Sequence, residues 1–166
     1  MKEENIFDEV DMLDILIEGN VDVLDAFVQQ YGINSINEDQ RGILTICILE
    51  GRTDLALHLI NETDIDLNKT DRNGYTPLHF AVQENNYSVV EALLRKKAAI
   101  DPIDKFGNTP LYKCVTEKVN INITNVLLEY GANVTIKNSF GYSPMAVIQK
   151  SLPELRIRLK NEEKYY

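Results

Sequence analysis

Tryptophan is absent from this chain of 166 residues, and histidine occurs only at His58 and His79. Cysteine is also scarce: Cys47 and Cys114 could form one disulfide at most. Each lies in an apolar or helical stretch, ILTICIL and PLYKCVT, and reads as a reduced, buried small residue. No Cys-x-x-Cys or His-x-x-x-His spacing exists, so no metal site is expected. Eight glycines and five prolines are too few for a long flexible linker. No window approaches the roughly 18 uninterrupted apolar residues of a transmembrane helix. The opening MKEENIFDEV is acidic and lacks the basic-then-apolar order of a signal peptide. These absences lead to the expectation of a soluble, cytoplasmic protein.

Signs of chemistry are equally sparse. A catalytic site needs a nucleophile with a base, a metal, or carboxylates paired in a cleft. No G-x-G-x-x-G, G-x-x-x-x-G-K-[ST] or calcium-loop pattern occurs. Asp8, Glu9, Asp11, Asp14, Glu18, Asp22 and Asp25 are spread over two exposed helix faces. Cys47 and His58 fall on successive helices, and both read as structural. The expectation is a protein that is no enzyme, with no catalytic, cofactor-binding or metal-ligating residue and no cofactor.

Hydrophobic residues make up 44% of the chain, enough for a continuous core and too many for disorder. The net charge of −9 is uneven. Residues 1–70 hold 16 Asp/Glu against 4 Lys/Arg, a balance of −12; residues 71–166 hold 10 against 13, a balance of +3. The acidic half disfavours nucleic acid and anionic membranes and favours a basic partner.

What the chain does contain is an internal repeat. Thr76-Pro77-Leu78 recurs as Thr109-Pro110-Leu111, and Gly74 as Gly107, both after 33 residues. Leu93-Leu94 recurs as Leu127-Leu128 after 34, which implies one inserted residue near 118–123. A weaker copy downstream carries Gly141 and Ser143-Pro144-Met145. Upstream copies align Cys47 with Ala81, and Glu18-Gly19-Asn20 with Glu50-Gly51-Arg52. One small or apolar helix position falls at Ile15, Cys47, Ala81, Cys114 and Ile148, in steps of 32, 34, 33 and 34.

Each copy reads as turn, short helix, loop, longer helix, loop. Pro77, Pro110 and Pro144 suit a first helical turn, where a missing N–H costs nothing. Thr76, Thr109 and Ser143 precede them and can cap the helix. Gly74, Gly107 and Gly141 suit a turn with positive φ. Val89, Val90, Leu93 and Leu94 recur at helical spacing and make one apolar face. One helix pair cannot bury both its faces, so stacking must supply the core. The second copy departs from the pattern. Gln40 stands at the glycine position and Gly42-Ile43 where Thr-Pro is expected, which puts the turn at 38–41 and the helix start after it in doubt.

The D-x-x-G elements at Asp71–Gly74 and Asp104–Gly107, T-P-L-H-x-A at Thr76–Ala81, V-V-x-x-L-L at Val89–Leu94, and the run from Leu127 to Val134 closely resemble the ankyrin repeat. The resemblance covers roughly residues 5–152. It implies an all-α ankyrin-repeat solenoid of four to five stacked helix-turn-helix units with hairpin-like loops. The units fall roughly at 5–36, 37–70, 71–103, 104–137 and 138–152, followed by a C-terminal capping helix and charged tail over 153–166. It also implies that the histidine of the motif, His79, bonds locally and links turns.

The same resemblance implies a protein-binding module, adaptor or inhibitor, that meets its partner on the concave face. That face is made of hairpin tips and the exposed side of each first helix. Carried over residue by residue, the contact positions are Glu38, Asp39, Arg41, Leu49 and Glu50; Arg72, Asn73, Tyr75, Gln83 and Glu84; Lys105, Phe106, Asn108, Thr116 and Glu117; and Ser139, Phe140, Tyr142, Lys150 and Ser151. Tyr75, Phe106, Phe140 and Tyr142 are aromatics at tips, and aromatics favour hot spots. Tyr75 and Tyr142 could instead pack on neighbouring hairpins. The expected partner is another protein of basic character, with no nucleic acid or membrane, and the free chain is expected to be a monomer. Two sharper readings stay open: an immunity- or antitoxin-like inhibitor of a basic toxin enzyme, and an effector that mimics host ankyrin proteins.

Overall fold

The structure, a computed structural model, describes residues 20–117, 120–152 and 155. Eight helices run through the described residues: α1 Val21–Tyr31, α2 Ile43–Leu49, α3 Thr53–Glu62, α4 Pro77–Gln83, α5 Tyr87–Arg95, α6 Pro110–Thr116, α7 Ile121–Glu129 and α8 Pro144–Ser151. No strand occurs among the described residues, and one antiparallel bridge joins Ile36 to Gly42. The expected first helix of the chain, with Ile15, and the expected capping helix and tail fall mostly outside the described residues.

Local chemistry sets the helix starts. Pro77, Pro110 and Pro144 each occupy the first turn of their helix, as the missing N–H allows. Thr109 Oγ1 accepts from Tyr112 N at 3.2 Å, and Ser143 Oγ from Ala146 N at 3.3 Å. Asparagine performs this task for α1, α5 and α7: Asn20, Asn86 and Asn120 each accept a backbone N–H of their own first turn, whereas α3 follows Arg52 with no side-chain cap. Helix α2 follows Gly42 with no side-chain cap, yet it starts at Ile43, in register with Pro77. Burial compensates, because every residue from Ile43 to Ile48 is buried.

The helices form two rows. The short helices α2, α4, α6 and α8 pack side by side, the longer α1, α3, α5 and α7 do the same, and α2, α4 and α6 each pack on the longer helix that follows. The core lies between the rows. Cys47, Ala81, Cys114 and Ile148 are all fully buried, so the recurring position found in the sequence is one place in successive layers. Leu93 and Leu127 are fully buried too. Asn120 caps α7 three residues after Glu117, whereas Asn86 caps α5 two residues after Glu84. The extra residue therefore falls between Glu117 and Asn120.

Two hydrogen-bond ladders tie the layers along the loops. Behind the longer helices, Asn34 Oδ1 accepts from Asp66 N (2.9 Å), Asn68 Oδ1 from Ala99 N (2.8 Å), and the Asp101 carboxylate from Asn133 N (3.1 Å). The second ladder joins the hairpins and builds the candidate site.

Candidate functional site

Four hairpins precede α2, α4, α6 and α8. Each is folded by one nearly buried side chain at its start: Asn37, Asp71, Asp104 or Asn138. Its Oδ1 accepts two backbone N–H groups, two and four residues on. The pairs are Asp39 and Arg41, Asn73 and Tyr75, Phe106 and Asn108, and Phe140 and Tyr142, all at 2.8–3.0 Å. Either aspartate or asparagine can fold this turn, because the turn itself uses only the Oδ1 acceptor.

The first of these hairpins keeps this turn without a glycine. Gln40 adopts φ +61°, against +80°, +76° and +81° at Gly74, Gly107 and Gly141. Its N–H donates to Asn37 O at 2.9 Å, as the glycines' do to their own anchors. The expected disturbance at 38–41 is thus absent from the turn geometry, because Asn37 holds the loop from the other side. The cost is a left-handed backbone on a residue with a Cβ.

Backbone bonds then join hairpin to hairpin. Arg72 N donates to Asp39 O (3.3 Å), Lys105 N to Asn73 O (2.8 Å) and Ser139 N to Phe106 O (2.8 Å). His79 adds a side-chain rung. Its Nδ1 accepts from Thr76 N at 3.2 Å, so the ring proton sits on Nε2, which donates to Asn108 O at 3.1 Å. Burial holds the His79 pKa below its ordinary value, which favours this neutral form. The local, turn-linking role expected of His79 is what its contacts show.

The expected contact residues divide by how far the scaffold uses them. Asn108 is committed at both ends of its amide: Nδ2 donates to Asp104 Oδ2 and Oδ1 accepts from Asn138 Nδ2, each at 2.9 Å. Its first task is to position neighbouring hairpins. Tyr75 is half-buried against His79 and Phe80, at 5.2 and 5.3 Å between ring centroids, with Lys113 over its face. Tyr142, at the equivalent place in the last hairpin, is 59% exposed. Arg72 reaches back to the previous hairpin, donating to Glu38 O and lying 3.9 Å from the Asp39 carboxylate. Asp39 also pairs with Arg41 at 3.5 Å. Glu38, Glu50 and Ser139 expose their side chains.

Phe106 and Phe140 are exposed by 43% and 70%. Their rings stack on each other across adjacent hairpins, 6.4 Å between centroids with 28° between planes. Lys105 Nζ lies 5.1 Å from the Phe106 centroid and donates to Asn73 Oδ1 at 2.7 Å. Beside this ledge is an open hollow of about 260 Å³, lined by Arg41, Asp71, Asn73, Tyr75, Phe80, Gln83, Lys105 and Phe106. The hollow was not foreseen. Its lining comes from three hairpins and one helix, and only their stacking brings these residues together.

The buried thiols carry no such opportunity. Burial pushes Cys47 up to about 12 and Cys114 up to about 11, and Cys114 Sγ lies 3.1 Å from Thr124 Oγ1. Both cysteines are free, as expected. Among the described residues no three His, Cys, Asp or Glu side chains group as metal ligands, and no helix is long and apolar enough to cross a membrane.

Comparison with known proteins agrees with this architecture. The family model for ankyrin repeats (three copies) matches residues 11–105 and 44–138. An ankyrin repeat-containing protein of Schizosaccharomyces pombe is 35% identical over 113 residues, covering 66% of this chain and 52% of that protein. A putative ankyrin repeat protein of Rickettsia bellii is 31% identical over 99 residues, 57% of this chain and 41% of its own length. One from fowlpox virus is 31% identical over 109 residues, 64% of this chain and 32% of its own length. The chain thus spans about half or less of these relatives. Ankyrin repeats generally serve protein–protein interaction. The match across most of the chain, together with the stacked helix pairs and linked hairpins, shows that this protein belongs to the ankyrin-repeat family.

Proposed function

We propose that the chain is a non-enzymatic interaction module that binds a partner protein across its hairpin tips and the adjoining side of its short helices. The observation that carries this reading is the Phe106–Phe140 ledge. Two aromatic side chains stay exposed, Phe140 more than Phe106, while their backbones are fixed by the hairpin bonds. Rigid, exposed aromatics lose little entropy on binding and bury much apolar area, which is how hot-spot residues act. Asn73, Ser139 and Tyr142, on the same hairpins or the adjoining one, supply polar groups to this face, and Arg72, Glu38, Asp39 and Glu50 extend it toward the N-terminal end.

The −12 balance of residues 1–70 favours, as a second reading, an inhibitor that covers a basic enzyme. Both readings use the same surface and differ in what the partner loses on binding.

The test is capture from the native host with wild-type chain and with a Phe106→Ala/Phe140→Ala variant, followed by mass spectrometry. A partner held by the wild type and lost by the variant is the expected result. Equal capture by both would overturn the assignment of this face. An enzymatic assay of the captured partner, with and without the chain, then separates inhibitor from adaptor.

A further inference from the structure

The chain is acidic overall, yet the hollow beside the aromatic ledge has the opposite local sign. Arg41 and Lys105 line it against a single carboxylate, Asp71. Asp71 is already occupied. Its Oδ1 accepts two backbone N–H groups, and its Oδ2 lies 3.9 Å from Arg41 Nε. Arg41 is further offset by Asp39 at 3.5 Å and leans over the Phe80 ring, 5.6 Å from its centroid.

Lys105 is different. None of the ion pairs among the described residues involves it. Neutral groups hold its ammonium in place: the Asn73 amide oxygen at 2.7 Å and the face of Phe106 at 5.1 Å. A cation fixed this way keeps its charge uncompensated and has lost part of its rotamer freedom before any partner arrives. Two further ammonium protons remain for an acceptor. Gln83 and Asn73 add amide groups at the same opening.

We infer that this hollow receives a carboxylate side chain of the partner, paired with Lys105, while an apolar residue beside that carboxylate lies on the Phe106–Phe140 ledge. The inference rests on the interaction reading above and gives the partner a chemistry: an acidic residue next to an apolar one. It also gives an orientation. The end of the face with the exposed Glu38 and Glu50 meets basic groups of the partner, and the Lys105 end meets its acidic residue. The partner's charge order is therefore the reverse of this chain's, −12 over residues 1–70 and +3 over 71–166.

The test uses the whole chain and three probes: N-acetyl-glutamyl-phenylalanine amide and its glutaminyl and lysyl counterparts. Each is titrated into ¹⁵N-labelled protein and followed by amide chemical shifts. The glutamyl peptide should shift the amides of Asn73, Lys105 and Phe106 in a saturable way, about fivefold tighter than the glutaminyl peptide, as for an exposed ion pair. Lys105→Met should remove that preference, and Lys105→Glu should transfer it to the lysyl peptide. Both variants keep the backbone bond from residue 105 to Asn73 O and lose only exposed side-chain contacts, so their melting should stay close to that of the wild type. Equal binding of all three peptides, shifts centred elsewhere, or a preference indifferent to Lys105 would overturn the inference. If the peptides fail in this way while Phe106→Ala/Phe140→Ala still abolishes partner capture, the interaction face stands and only its charge assignment falls.

Discussion

His79 Nε2 and the carbonyl of Asn108 lie 3.1 Å apart, so one imidazole joins the start of α4 to the hairpin before α6. The bond depends on a neutral ring, because Nδ1 must accept from Thr76 N. Protonation would turn that acceptor into a donor facing a donor. The folded pKa is lowered, chiefly by burial. The unfolded chain therefore takes up a proton first as pH falls. Stability is fully present above the unfolded value, near 6.5, and declines as pH drops toward the folded one, by up to about 1.4 kcal/mol per pH unit. Urea unfolding at pH 7.5, 6.5 and 5.5 should show this decline in the wild type. His79→Gln should be weaker at pH 7.5 and show a flatter profile. His58 is present in both proteins, so the difference between them isolates His79. Parallel profiles would refute the assignment.

The four hairpins also predict opposite effects of opposite substitutions. A Cβ on Gly107 would stand 3.1 Å from Ser139 N and 3.2 Å from Asn138 Cα, backbone atoms of the next hairpin that cannot swing away. Gly107→Ala adds to this the left-handed φ of +76°. A loss of about 2 kcal/mol or more is expected from these two terms together. Gln40 already bears a side chain at φ +61°. Gln40→Gly should stabilise by up to about 1 kcal/mol, the relief of the left-handed backbone less the added freedom of the unfolded glycine. Thermal melts of both variants check the pair. A neutral Gly107→Ala would mean that the hairpins can separate at little cost.

Leu93 and Leu127 occupy equivalent, fully buried positions of α5 and α7. Truncation of either to Ala should cost roughly 2–5 kcal/mol through lost burial and the cavity left behind. A short stacked array has few interfaces, so either change should appear as a large shift in urea midpoint. Wild-type midpoints for both would contradict the layer assignment.

Much of this frame can be read from residue spacing because a stacked array repeats its own solution. Thr-Pro, the glycine and the paired leucines each answer one local demand, and steps of 33–34 residues carry the demand forward. Phe106 and Phe140 share one place in successive hairpins, so their stacking is implicit in a separation of 34. Burial at the tips was harder to read. Tyr75 and Tyr142 are equivalent in sequence, but Lys113 and the Phe80 ring cover the first, and the second is 59% exposed. The backbone N–H rungs from residues 72, 105 and 139 to the preceding hairpin leave no mark on residue type. The hollow has no signature either, because its lining joins residues from Arg41 to Phe106.

Cys47 and Cys114 are raised by burial to about 12 and about 11, so almost no thiolate exists near neutral pH. A thiol reagent added to folded protein at pH 7.5 should label them slowly, limited by opening of the array. Urea should accelerate both. The Leu93→Ala and Leu127→Ala variants should label faster than wild type, because a smaller stability raises the open population. Rapid labelling of either thiol in native wild-type protein would remove it from the core.

The proposed face makes a kinetic prediction that separates its two chemistries. Phe106 and Phe140 offer apolar contact, so truncating either to Ala should accelerate dissociation of the captured partner, at a cost on the order of 2 kcal/mol for an anchor in a dry pocket. Glu38 and Glu50 are exposed and act at a distance. Glu38→Gln and Glu50→Gln should slow association and leave dissociation nearly unchanged. Asp39 is unsuited to this comparison, because its carboxylate also pairs with Arg41 and Arg72, and its loss would disturb two hairpins. Salt provides the control. The Debye length is about 8 Å at physiological ionic strength and about 3 Å at 1 M, so added salt should erase the glutamate effect and leave the phenylalanine effect in place. Surface plasmon resonance at two salt concentrations reads both rates. Unchanged dissociation for Phe106→Ala and Phe140→Ala would move the binding surface away from the hairpin tips, toward the longer helices on the opposite side.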